Sequence, residues 1–252
     1  MKKVNKINID LDKLLGAPQS AYEFFNRNTE IKQENSLKTL PIHQYKTYYK
    51  AYDRFPIIKL SKKKLPKVSF SSILENRSSQ RQSSKSSSIS IEDIGSLMYH
   101  CLGQKDEQGL RFYPSAGGRY PLEAYLIPNK VSYLQKRGVY HYNVRGHYLE
   151  ERIPSNTTAL SNCFQQSFVA RSDAIIIITG TFKRTSIKYG ERGYRYVLME
   201  SGHVGQNIYL VGKSLKMAVC GICGFYDKNI NEYLDIDGVS ESSLYCFTLN
   251  SQ

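Results

Sequence analysis

The run KYGERGYRYVLMESGHVGQNIYLVGKSLKMAVCGICG, residues 188–224, holds the pattern from which the neighbouring segments take their meaning. At helical spacing, Tyr194, Val197, Leu198, Ser201, Gly205, Ile208, Gly212 and Leu215 fall on one face. That face is apolar and made of small residues, so another backbone can approach it closely. Tyr196, Glu200, His203 and Asn207 fall on a second face, where polar groups on an apolar helix call for solvent or a partner. His203 reads as a helix histidine with its bonds satisfied, and Glu200 as the partner of a nearby arginine. Lys188 and Tyr189, two proton-transfer groups, precede the helix. Residues 220–224 read as a glycine-bearing loop that follows it and presents bare backbone N–H groups. Titratable groups at one end and a glycine loop at the other mark a site without saying which.

Composition bounds the class. A chain of 252 residues that is 40% hydrophobic and 12% aromatic supports a sizeable core. The net charge is +13, and residues 61–87 alone hold seven cations (Lys62, Lys63, Lys64, Lys67, Arg77, Arg81 and Lys85) against Glu75. Such a patch suits nucleic acid, an anionic lipid surface, a phosphorylated cofactor or an acidic peptide, or is a solvated face. The N-terminal MKKVNKINIDLDKLL lacks a continuous apolar core of a secretory signal, and the longest apolar run, residues 174–178, is too short to span a bilayer. Five cysteines without framework spacing point to reduced thiols and a cytoplasmic protein. Cys220 and Cys223 form a CxxC, but no second pair or spaced histidines accompany it, so no metal is expected.

Residues 1–68 are rich in lysine, asparagine and tyrosine. They read as an N-terminal extension packing on the core or on a partner, with a short helix opening at Ser20 (AYEFFNR) and a strand-like IIKL after Pro56. Residues 69–252 read as the main domain. Two short helices are expected at its start, one ending near Asn76 and one over residues 90–100 capped by Ser90. RSSQRQSSKSSS between them is either a flexible serine linker or an anion-binding segment, in which Arg77, Ser78, Ser79 and Arg81 supply the donors a phosphate monoester needs. Pro114 and Pro121 bracket a turn holding Ser115, Gly117, Gly118 and Arg119, before a strand over 123–127. GVYHYNVRGHYLEER alternates as a hairpin turning at 143–146. Residues 155–172 look helical, 173–179 a buried strand, and 243–249 a final strand. Without strict alternation of strand and helix, the class is α+β.

These blocks together resemble one family. RSSQR is similar to the phosphate signature of nitroreductase-fold flavoproteins. PSAGGRYPLEAYLI, GVYHY, HYLE, the 188–210 run and CGFYD resemble the SagB-type branch, the FMN-dependent azoline dehydrogenases that form thiazoles and oxazoles in ribosomally made peptides. The resemblance covers residues 70–249. It implies a nitroreductase-like fold with a central mixed or antiparallel sheet flanked by helices, and FMN as cofactor. It also implies a homodimer with the flavin at the interface, a precursor peptide as substrate and a cyclodehydratase complex as partner.

Residue by residue, the resemblance implies that Arg77, Ser78, Ser79 and Arg81 hold the FMN phosphate. Ser115, Gly117, Gly118 and Arg119 would lie along the ribityl chain and ring, with Gln206 and Asn207 supporting the site. Cys223 and Gly224 match a double-glycine turn whose amide faces flavin N5. Cysteine stands for the first glycine there, a strained choice if that position needs a positive φ. The basic pair that nitroreductases carry near the C-terminus is missing. Lys188 and Tyr189 match the catalytic Lys-Tyr pair. Aromatising an azoline removes a proton from one ring carbon and a hydride from its neighbour. The flavin takes the hydride, while the protein supplies the base and polarises the ring.

Two other readings compete. An NAD(P)H-dependent nitro- or quinone reductase keeps the fold and the flavin but gives the Lys188–Tyr189 pair no task. A basic nucleic-acid-binding module would use residues 61–87 and the tyrosines, with steeply salt-dependent binding, and a non-catalytic scaffold subunit would carry bound FMN without turnover. The azoline reading expects neither nucleic acid nor membrane as a partner, and molecular oxygen as final electron acceptor.

Overall fold

The computed structural model describes residues 21–30, 49–81, 88–152 and 158–252. The chain divides into two compact units, residues 1–38 and 39–252. In the first, the described part is helix α1 (Ala21–Asn28), where AYEFFNR predicts one. At its end the Thr29 hydroxyl donates to the Phe25 carbonyl at 2.7 Å. Ser20, expected to open it, lies outside the described residues, as do 82–87 of the serine-rich segment.

The second unit runs β1 (Ile57–Lys59), α2 (Phe70–Asn76), α3 (Ile91–Leu102), β2 (Leu122–Pro128), β3 (Val139–Asn143), β4 (Tyr148–Arg152), β5 (Ala174–Thr181), α4 (Lys183–Tyr189), α5 (Gly193–Ser214), β6 (Met217–Ile222), α6 (Asp227–Leu234) and β7 (Glu241–Ser251). The seven strands form one sheet in the order β1-β4-β3-β2-β5-β7-β6, antiparallel at every junction. This is the α+β architecture expected, with an antiparallel sheet flanked by helices. Residues 57–59 pair with β4, Ile57 opposite Glu150, so this part of the segment before residue 69 is an edge strand of the main sheet.

Local signals explain most elements. The Ser90 hydroxyl accepts from the Asp93 N–H at the start of α3, and Ser69 caps α2 through the Ser72 N–H. The hairpin turns where Asn143 Oδ1 accepts from the Gly146 N–H. β5 is buried on both faces: Ile176 and Ile178 join the core under α3 and α5, while Ile175 and Ile177 join the core under α6. That two-sided burial is why its sequence is a continuous apolar run.

Two expectations fail. Residues 158–172 contain only the short helical turns Leu160–Cys163 and Val169–Arg171, and 153–157 lie outside the described residues. The chain goes extended at Phe164 to bridge Phe225, which breaks any continuous helix. Residues 220–222 are not loop. Lys216, with φ 58°, turns the chain out of α5, and Met217–Ile222 then pairs with β7 from Ser251 to Cys246. Among the described residues, no helix is long and apolar enough to cross a membrane, and no group of His, Cys, Asp and Glu could hold a metal.

The small-residue face of α5 lies on the sheet. A β-carbon on Gly205 would come 2.9 Å from Phe247 and 3.0 Å from Tyr245, and one on Gly212 would come 2.5 Å from Val219. Val197, Ser201 and Ile208 are buried with them, whereas Tyr194 and Leu198 stand at the rim, about 40% exposed. The close approach that the glycines permit is therefore between this helix and its own sheet.

Candidate active site

α5 organises the site along its length. Near its start, Glu200 is buried, and its Oε1 accepts from the Ser115 hydroxyl at 2.9 Å and from the Ala116 N–H at 3.0 Å. Ser115 Oγ in turn accepts from the Tyr120 N–H at 2.8 Å. Glu200 therefore ties α5 to the glycine turn and, among the described residues, forms no ion pair with an arginine, contrary to the sequence reading. Burial pushes its carboxyl up to about 7, against the opposing pull of the Ala116 and Ser115 bonds and the Arg111 charge.

The turn itself holds Gly117 and Gly118 at φ 61° and 63°. The side-chain ends of Tyr189 and Lys188 close on Gly117, and would lie 2.6 and 2.9 Å from a β-carbon there. Both side chains are half-buried, the Lys188 ammonium lies 5.3 Å from the Tyr189 ring centroid, and that ring packs edge-on against Tyr196 at 5.0 Å. Arg119 is buried, its Nε donating to the Arg184 carbonyl of α4 at 2.7 Å, which binds the turn to the helix carrying the pair. A cavity of about 710 Å³ adjoins this junction, with Arg119, Arg184, Ile187, Lys50 and Glu241 in its walls.

Further along α5, Asn207 Nδ2 donates to the Phe112 carbonyl at 3.4 Å, while Gln206 and His203 are exposed. His203 is therefore a surface residue and not one satisfied inside the fold. Tyr209 gathers the basic segment. Its hydroxyl lies 2.9 Å from Ser79 Oγ and accepts from the Gly221 N–H at 2.7 Å, and the Arg77 guanidinium stacks 5.3 Å from its ring centroid. Arg81 stacks on Phe168 at 5.7 Å, and the Gln80 N–H donates to the Val219 carbonyl at 2.9 Å. Ser78 is exposed. Cys223 and Gly224 follow β6, Cys223 exposed and Gly224 accepting from the Gln165 N–H at 3.3 Å. Neither has a positive φ, so the cysteine brings no backbone strain.

Two clusters result. Glu200, the glycine turn, Lys188 and Tyr189 form one. Arg77 to Arg81 with Tyr209 and β6 form the other, about 14 Å away along the α5 axis by its rise per residue. Gln206 and Cys223 make no recorded contact with either. Tyr209 went unread in the sequence because nothing in helical spacing separates it from an ordinary half-buried tyrosine. Its distance from Glu200 on one helix is the signal available only once both ends have partners.

The residues fit FMN on three observations. Arg77 and Arg81 lie against aromatic rings and form no ion pair among the described residues, leaving their donors for an anion. A β-carbon on Gly118 would meet nothing within 4 Å among the described residues, so bare backbone is exposed there to a ligand. Glu200 Oε2 is buried without a hydrogen-bond partner among the described residues.

Comparison with known proteins adds context. The model of the nitroreductase family matches residues 74–249. A Methanocaldococcus jannaschii protein named as a nitroreductase is 37% identical over 155 residues, 60% of this chain and 77% of that protein. The microcin B17-processing protein McbC of Escherichia coli is 27% identical over 156 residues, 59% of this chain and 57% of that protein. Among solved structures, a nitroreductase-named protein of Anabaena variabilis aligns with a TM-score of 0.72 at 23% identity, over 92% of this chain and 46% of that one. The E. coli microcin synthetase McbBCD complex with truncated pro-MccB17 bound aligns at 0.59 with 20% identity, over 91% of this chain and 86% of that one. A nitroreductase-named protein of Exiguobacterium sibiricum in complex with FMN aligns at 0.51 with 14% identity, over 73% and 89%. The alignments thus span little more than half of McbC and less than half of the Anabaena chain. At these identities the structural likenesses carry the fold.

Proposed function

This chain belongs to the nitroreductase family, and from that premise we propose that it is an FMN-dependent dehydrogenase oxidising peptide thiazolines or oxazolines to thiazoles or oxazoles. The observation that carries the proposal is the approach of Lys188 and Tyr189 to Gly117, in a turn whose second glycine meets nothing among the described residues. A reductase that receives hydride and passes it to an acceptor that takes up protons needs no base at that place. An azoline dehydrogenase needs both a base and a polarising donor.

In this reading, Arg77 and Arg81 bind the FMN phosphate with Ser78 and Ser79, and Tyr209 holds Ser79 in position. Ser115, Gly117, Gly118 and Arg119 would hold the ribityl chain and ring, Gln206 and Asn207 would support the site from α5, and the backbone of Cys223 and Gly224 would offer N–H groups to the flavin. Bound there, FMN supplies the hydride acceptor. Lys188 Nζ and Tyr189 Oη divide the remaining work: one removes the proton from the azoline ring carbon, and the other donates a hydrogen bond to the ring. Microcin processing in the name of McbC, and a pro-peptide bound in the McbBCD complex, support a precursor peptide as substrate and a cyclodehydratase complex as partner. The exposed Tyr194, Leu198 and Met199 on α5 support a homodimer across that face.

The test is mass spectrometry of a heterocyclised precursor peptide incubated with the FMN-loaded protein. Loss of two hydrogens per ring with wild type, and none with Lys188→Ala that still binds FMN, is the expected result. An unchanged peptide alongside NAD(P)H-driven reduction of nitroaromatics or quinones would replace this reading with the reductase one, which the M. jannaschii relative favours.

A further inference from the structure

Glu200 lies at the only point among the described hydrogen bonds where α5 grips the glycine turn through side chains. Oε1 takes two donors from successive residues, Ser115 and Ala116, and Ser115 passes the tether on to the Tyr120 N–H. The next residue is Gly117, in contact with Lys188 and Tyr189. A shift at Ala116 is therefore a shift of the surface on which the pair rests. We propose that Glu200 is the positioning residue of this site: its carboxylate holds the glycine turn at the height where Gly117 meets Lys188 and Tyr189. In so far as the pair acts on substrate, this rests on the functional reading above. The tether itself does not.

The chemistry of the tether follows from its surroundings. A carboxylate accepting two N–H or O–H bonds holds them more strongly than a neutral carboxyl, which keeps one proton for itself. Glu200 is buried and its Oε2 has no donor among the described residues, so its charge is costly and its carboxyl is held at about 7. The groups interacting with it from the elements around it are Arg111, which favours the charge, Tyr113, and the Ser115 and Ala116 donors; Lys188 and Tyr189 lie beyond Gly117. The Tyr113 phenol is itself pushed up to about 12 by burial and stays neutral across this range. The tether is therefore tightest above neutrality and slackens as Glu200 takes a proton.

The experiment reads the tether without cofactor or substrate. Amide resonances of Ala116, Gly117 and Gly118 are followed by NMR from pH 5 to 9 in wild type, Glu200→Gln and Lys188→Ala. A step near neutrality in wild type and in Lys188→Ala, absent in Glu200→Gln, is expected. A step that persists in Glu200→Gln, or its absence from wild type, overturns the proposal. In turnover of the FMN-loaded enzyme, Glu200→Ala is expected to lower kcat by about 100-fold with little change in KM, as loss of positioning does. Glu200→Gln, which keeps a carbonyl acceptor, restores most of kcat and flattens its pH profile. If Glu200→Ala fails to fold, the wild-type and Glu200→Gln spectra still decide. A protein that shows the Glu200-dependent step yet oxidises no azoline sinks the functional reading and leaves the tether standing.

Discussion

Tyr189 and Lys188 close on Gly117: a β-carbon there would lie 2.6 Å from Tyr189 Oη and 2.9 Å from Lys188 Nζ, so both side-chain ends would have to move aside for one. Gly118, one residue on, has the same left-handed backbone, φ 63°, but an added β-carbon would meet nothing. The two glycines thus separate conformation from contact.

Gly117→Ala and Gly118→Ala are each expected to cost about 1 kcal/mol of stability through the positive φ. Their functional effects differ. Gly117→Ala pushes the Lys188 and Tyr189 ends aside, so it lowers azoline turnover while FMN affinity holds. Gly118→Ala fills the space assigned to the flavin, so it weakens FMN binding first. Thermal melts with flavin titration and peptide turnover tell the two patterns apart, and equal behaviour of the two variants would contradict the assignment.

Tyr209 links Ser79 to the Gly221 N–H of β6. Tyr209→Phe removes both bonds and leaves a half-buried N–H unpaired, a loss of about 1–2 kcal/mol. The expected outcome is FMN affinity lowered by about tenfold, with the ring end of the site unaltered. Flavin fluorescence quenching measures this directly.

His141, fully buried, sits between Glu150 at 2.6 Å and Glu123 at 2.9 Å, and Glu123 also pairs with Arg184 at 2.5 Å. Two acceptor-only carboxylates require both ring nitrogens to carry hydrogen, so the imidazolium is the bound form. Burial alone would lower the His141 pKa, but its bonds to Glu123 and Glu150 raise it. Burial likewise opposes ionisation of Glu123, yet Arg184 and His141 hold it down at about 2. The signs follow by linkage. The histidine contribution is complete below about 6.5, its unfolded value, and is lost as pH rises through the raised folded one. The Glu123 contribution is present above about 4.3 and is lost as pH falls toward its depressed value. His141→Asn is expected to cost about 3–5 kcal/mol near pH 6 by removing the cation that two buried carboxylates share, although Glu123 keeps Arg184 and Glu150 keeps Asn143 and the Tyr52 N–H. The gap from wild type in denaturant melts should narrow as pH rises.

Of the five cysteines, Cys223 is exposed while Cys101, Cys163, Cys220 and Cys246 are buried. Burial pushes the thiols of Cys101, Cys163 and Cys246 up, Cys163 to about 12. A thiol-titrating reagent is expected to react with one thiol per native chain and five in denaturant, and Cys223→Ser should abolish the native reaction. Since Cys223 has no positive φ, Cys223→Gly relieves no strain and should leave stability equal or slightly lower.

Local signals in the sequence were enough for most of the fold. The Ser90 cap, the hairpin at Asn143 to Gly146 and the helical period of α5 each depend on interactions within a few residues, while the isoleucine run of β5 announces burial by residue type alone, and each stands in the structure as expected. Ordered blocks such as RSSQR and PSAGGRY pointed to an anion-binding segment and a glycine turn because such chemistry is carried by residue type, and the glycine turn stands in the structure. The fate of residues 160–171 and 217–222 was decided elsewhere. Phe164 goes extended to reach Phe225, and β6 exists because β7, some thirty residues on, supplies its partners. Such pairings cost loop closure that no local pattern records. The same holds for Glu200, expected to meet an arginine and found instead gripping Ser115 and Ala116. It holds too for Tyr189, whose place over Gly117 is set by how α4 packs against the turn. Residue chemistry is written in the chain, but which side chain meets which is settled by long-range packing, where burial energy decides among partners that the sequence leaves equivalent.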